Sequence, residues 1–129
     1  MNFSTHSSDL DKFSGDYNKI IDFMNTHSLN GLEMIQHADW NPEIIPKSLI
    51  QGLHMSFWPV LLDFWNGNEI ELVRQFGDEA TYVTYYGGKS RSVMVEYYKQ
   101  ELQTALDMGV KYVVFHVSHV ELEHCFNEY

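Results

Sequence analysis

The stretch Lys111-Tyr112-Val113-Val114-Phe115-His116-Val117-Ser118-His119 constrains this chain more than any other. Five of its first seven residues are aliphatic β-branched or aromatic, and the apolar residues form a run rather than an alternation. That is the pattern of a strand in a parallel sheet, buried on both faces. The run then ends in His-Val-Ser-His. Imidazoles at the C-terminal end of such a strand sit where α/β folds keep their chemistry. The question for the rest of the chain is whether other segments deliver polar groups to the same end.

Several do. Asn2 to Thr5 reads as a first strand with His6 at its end. Asp16 to His27 reads as a helix, with Tyr17, Ile20, Ile21 and Met24 at helical spacing, Asp16 as N-cap and Asn30-Gly31 as the stop. Leu32-Glu33-Met34-Ile35 is a short second strand, followed by polar Gln36 to Asp39. Pro42 and Pro46 keep any helix between residues 39 and 48 short. Ser48 to Met55 is the third strand, passing through Gly52 and reaching His54. Phe57 to Gly67 is an aromatic connection. Glu69 to Phe76 fits a two-turn helix stopped at Gly77, and Thr81 to Gly88 is Tyr-rich. Arg91 to Met108 is the clearest helix, with Met94, Tyr97, Tyr98, Leu102, Ala105 and Leu106 expected on one face. Glu121 to Tyr129 reads as the first turns of another helix.

Strands alternating with helices predict an α/β fold with a parallel sheet. Four such units are half of a (β/α)8 barrel, which takes about 250 residues. A small doubly wound sheet is the alternative. With 44% apolar and 15% aromatic residues, the 129 residues suffice for one core. The expectation is a single domain over 1–129, forming an N-terminal half-barrel.

Charge and cysteine content narrow the function. A net charge of −10 with 8 Lys and Arg leaves no basic face for nucleic acid. Cys125 alone forms no intrachain disulfide, which fits a reducing compartment. No run is apolar enough to span a bilayer, and the N-terminus lacks the regions of a signal peptide. A cytoplasmic protein without membrane contact is expected.

Side-chain alternation turns the strand ends into a candidate site. Gly52 and His54 face one way, as do Val114 and His116. Neighbouring strands lie about 4.8 Å apart, so imidazoles at the same height on strands three and four reach one divalent metal at about 2.0–2.1 Å. Glu33 and His6 project toward the same rim. Each residue has a plainer reading: a histidine at a strand end is more often simply hydrogen-bonded, and Glu33 is as easily solvated or paired. His119 and His124 lie past the strand, and His27 and His37 look like helix-end and loop residues. Trp58 and Trp65, with Phe57 and Phe64, suit stacking on a sugar ring; ordinary packing explains them too. Gly87-Gly88-Lys89-Ser90 ends like a phosphate loop, but a Walker motif needs glycine at residue 83, which is Val83. Lys89 and Arg91 remain as sugar-phosphate contacts or as parts of a solvated loop.

Gly52-Leu53-His54 followed by Phe57-Trp58-Pro59, then Val113-Val114-Phe115-His116-Val117-Ser118, resembles strands three and four of the xylose isomerase-like TIM barrels. Gly31-Leu32-Glu33-Met34 is similar to the second strand. The superfamily includes endonuclease IV, sugar-phosphate isomerases and epimerases, and inosose dehydratases. The resemblance covers the chain as a half-barrel and implies metal ligands at His54 and His116. It implies a divalent ion (Zn, Mn or Mg), with Glu33 as acid/base or supporting group and His6, Trp58 and Trp65 against substrate. It further implies a sugar or sugar-phosphate isomerase or epimerase. The alternatives are an endonuclease IV-like hydrolase at abasic DNA sites, or a non-catalytic half-barrel. The family's bridging carboxylate at strand five has no counterpart here. Self-association or a C-terminal half is expected to cover the open barrel.

Overall fold

The computed structural model describes residues 2–6, 13, 16–35 and 45–125. In order these form β1 (Asn2–His6), α1 (Tyr17–Thr26), β2 (Gly31–Ile35), a 3-10 turn (Lys47–Leu49), β3 (Ile50–His54), α2 (Leu61–Asn66), α3 (Glu69–Phe76), α4 (Glu79–Tyr86), α5 (Arg91–Met108), β4 (Tyr112–Val114) and α6 (Leu122–Cys125). The strands make one sheet in the order β1-β2-β3-β4, and every neighbouring pair is parallel. Parallel neighbours require long crossovers; α1 lies in the one between β1 and β2, and α2 to α5 lie in the one between β3 and β4. The expected mixed α/β character, parallel pairing and strand order are therefore present. Among the described residues, no helix is long and apolar enough to cross a membrane.

The chain divides into two compact units, Met1–Ser56 with Leu102–Phe115, and Phe57–Glu101 with His116–Tyr129. The first holds the sheet. Its core joins Leu32 and Met34 of β2, Ile50 and Leu53 of β3, Ile20 and Met24 of α1, and Ala105 and Met108 of α5. A β-bulge sets this arrangement: Leu32 faces Ile50, but Glu33 faces Gly52, so Gln51 is the extra residue. The bulge resets the alternation and lets Ile50 and Leu53, three apart, both enter the core. Leu53 is fully buried, because its side of the sheet is the helical side. Asp16 caps α1 by accepting from the Asn18 backbone N–H at 2.9 Å. α5 ends in a Schellman motif: Gly109 is left-handed (φ 69°), its N–H donates to Leu106, and that of Val110 donates to Ala105.

The second unit is helical. Val60, Phe64, Leu72, Tyr82, Tyr86 and Met94 form its core, with Phe64 and Tyr86 stacked at 3.8 Å between ring centroids. Asp78 caps α4 by accepting from the Thr81 N–H at 2.7 Å, which lowers its carboxyl below the ordinary range.

Five expectations need correction. The aromatic connection contains α2, and the Tyr-rich segment is α4; both are short and show little of a helical period. The buried face of α5 is Met94, Glu101, Ala105 and Met108, while Tyr97, Leu102 and Leu106 are exposed. β3 begins at Ile50 because the 3-10 turn takes residues 47–49. β4 spans only three residues and is not buried on both faces; Tyr112 and Phe115 are exposed, because among the described residues β4 pairs on one side only. His116 thus lies beyond the strand expected to carry it. The readings of residues 36–44 and 126–129 fall outside the described residues.

Candidate functional site

Within the first unit, the register aligns Glu33 of β2, Gly52 of β3 and Tyr112 of β4 in one row across the sheet. His54 is two residues beyond Gly52, so it shares their face. These residues alternate with Leu32, Met34, Leu53 and Val113, which belong to the helical core. One side of the sheet is thus apolar and packed, and the other carries a carboxylate, an imidazole and a phenol.

Those three groups are joined. Glu33 Oε1 lies 2.8 Å from His54 Nδ1, and the Tyr112 hydroxyl donates to Glu33 Oε2 at 2.9 Å. The side chains of His54 and Glu33 are 26% and 19% exposed, so the pair is partly shielded but reachable. A carboxylate only accepts hydrogen bonds. Facing both partners, it accepts from the Tyr112 hydroxyl at Oε2, and at Oε1 it can accept from His54 in the tautomer that carries its proton on Nδ1. Nδ1–H bonding to a carboxylate fixes ring orientation and tautomer, and it is the usual partner of a metal-ligating histidine.

The first unit therefore unites Glu33 and His54, both candidates from the sequence, with Tyr112, which the sequence places only as one residue of a buried strand. The signal that points to Tyr112 is Gly52: a glycine inside a strand marks a close approach, here by the aromatic ring in register with it. His6 closes β1 opposite Ile35, and its side chain lies outside what is described.

The remaining candidates belong to the second unit. The half-buried ring of His116 meets Phe57 edge-on, with centroids 5.7 Å apart. Trp58 stacks on Tyr86 at 5.7 Å and meets Tyr85 and Tyr97 edge-on. Trp65 is 39% exposed and carries the Arg91 guanidinium over its ring at 5.4 Å. Lys89 pairs with Glu79, which raises its ammonium above the ordinary value. His119 supports the fold locally. Its Nδ1 accepts from the Leu62 N–H at 3.2 Å, at the start of α2, and its Nε2 faces Asp63 at 3.5 Å. Among the described residues, a group with metal-ligand spacing is Glu121, Glu123 and His124. It sits toward the surface, and Glu121 is held by Arg74 at 3.2 Å, which competes with any cation.

Comparisons with protein-family models, with curated proteins and with solved structures found nothing that matches this chain.

Proposed function

We propose that this chain is the N-terminal half of a xylose isomerase-like barrel and acts in a metal-dependent isomerase or epimerase on a sugar or sugar phosphate. The observation that carries this reading is the Tyr112–Glu33–His54 array on the sheet face opposite the helical core. The strand order adds support. Each strand lies beside its predecessor, as in a barrel, whereas a doubly wound sheet reverses at a switch point.

In this reading His54 is a metal ligand through Nε2, since Glu33 engages Nδ1. Both oxygens of Glu33 are engaged, which favours an orienting role over service as a free acid or base. His116 carries over as a second ligand from the resemblance alone. A divalent ion held there would supply Lewis-acid polarisation of a sugar carbonyl or hydroxyl. The nuclease alternative has less support: Arg74, Lys89 and Lys99 pair with carboxylates, Arg91 stacks on Trp65, and the net charge is −10.

The test is solvent exchange. The full-length protein with Mn2+ is incubated in deuterated water with a panel of aldose and ketose phosphates, and loss of the proton next to the carbonyl is followed by NMR. Exchange that disappears in His54→Ala is the expected result. No exchange on any sugar, together with cleavage of an abasic-site duplex, would replace this reading with the nuclease.

A further inference from the structure

We infer that Tyr112 is a positioning residue that reaches across Gly52 to lock the Glu33–His54 pair. The inference deepens the proposed metal site and rests on that reading only for the identity of the ion.

Tyr112 is on β4 and Glu33 on β2, with β3 between them. A hydrogen bond between them has to cross the middle strand. It does so at Gly52, which is in register with both. A Cβ added at Gly52 would overlap Cζ and Cε2 of the Tyr112 ring. The ring therefore lies against the bare backbone of β3, and any side chain at position 52 would lift it. In this placement the hydroxyl meets Glu33 Oε2 at 2.9 Å. The other oxygen, Oε1, then faces His54 Nδ1 at 2.8 Å. A carboxylate fastened at one oxygen loses its freedom to rotate, so the second keeps aim on the imidazole. The consequence is a single neutral tautomer of His54, protonated on Nδ1, which is the form that would ligate through Nε2 in the proposed site.

Two substitutions separate this role from packing. Tyr112→Phe removes the hydroxyl and keeps the ring. Gly52→Ala keeps the hydroxyl and displaces the ring. Both are compared with the intact protein by two-bond proton–nitrogen NMR of 15N-labelled histidine, without metal, at about pH 8, above the ordinary imidazole range. Zn2+ affinity is then measured on the same samples by calorimetry. The intact protein is expected to show one His54 tautomer, protonated at Nδ1. Tyr112→Phe is expected to show a tautomer mixture and Zn2+ binding weaker by about tenfold, the scale of losses from a ligand's supporting groups. Gly52→Ala is expected to do the same; if it fails to fold, Tyr112→Phe decides alone. A Tyr112→Phe protein with an unchanged tautomer and unchanged affinity would overturn the proposal and leave Tyr112 as a packing residue. If the intact protein binds no Zn2+, the metal reading falls, and the tautomer measurement still decides the positioning role.

Discussion

Val60 bears the least comfortable backbone among the described residues. It is β-branched, fully buried and left-handed, at φ 55° and ψ 27°, where it opens α2. Such a residue carries a steric penalty of about 1–2 kcal/mol in this region. Its surroundings hold it there: its N–H donates to Val120 at 2.8 Å, and the carbonyl of Pro59 accepts from the Tyr86 hydroxyl at 2.6 Å. Two truncations set packing against strain. Val60→Ala loses buried methyls and keeps a Cβ in the left-handed region. Val60→Gly loses more surface but relieves the backbone. Val60→Gly is predicted to be at least as stable as Val60→Ala in urea unfolding. A glycine variant clearly less stable than the alanine variant would show that the turn is not strained.

At the scale of elements, the sequence is most legible where a period and a stop signal coincide. α5 ends at Met108 because Gly109 follows, and α1 starts after Asp16; both ends are readable from the residues alone. His54 is also readable as a strand-end polar group; Glu33 is readable as a polar group of β2, but it stands at the middle of that strand and not near its end. Their contact is not readable, because it depends on the bulge at Gln51, which moves the row by one residue and puts Glu33 opposite Gly52. Tyr112 escapes notice for the same reason. The short helices α2 and α4 are hidden because about two turns or fewer show little of a helical period: in α4 it is one repeat, Tyr82 to Tyr86. Within α5 the buried Glu101 interrupts the apolar stripe, so the stripe points a fraction of a turn away from the face that is buried. That face has a pH signature. Tyr98 is pushed up to about 12 by burial and, secondarily, by the Glu101 charge. A phenol with a raised folded value binds its proton more tightly when folded, so its contribution is present below pH about 10 and is lost as pH rises toward 12. Intact protein is predicted to lose urea stability across that window faster than Tyr98→Phe. Parallel curves for the two proteins would remove Tyr98 from the explanation.

At the scale of the whole molecule, β4 is an edge strand of the sheet among the described residues. Leu102 and Leu106 of α5 are 45% and 74% exposed, and with Val110, Tyr112 and Val113 they line an apolar groove of about 390 Å³. Exposed apolar surface beside a strand edge is a site for association. The protein is predicted to sediment above its 15.1 kDa chain mass, or to bind a hydrophobic dye that Leu102→Gln/Leu106→Gln binds less. A dye-silent monomer would mean that this edge needs no cover.

The central claim is that the polar row across β2, β3 and β4 presents His54 to a divalent ion. Calorimetric titration of Zn2+ into the intact protein, His54→Ala, Glu33→Gln and His124→Ala tests it most directly. The account predicts one binding event in the intact protein and none in His54→Ala. Glu33→Gln should bind about 10–100-fold more weakly, as befits a carboxylate that orients a ligating ring, and His124→Ala should bind as the intact protein does. Equal Zn2+ binding by the intact and His54→Ala proteins, or binding lost only with His124, would contradict it.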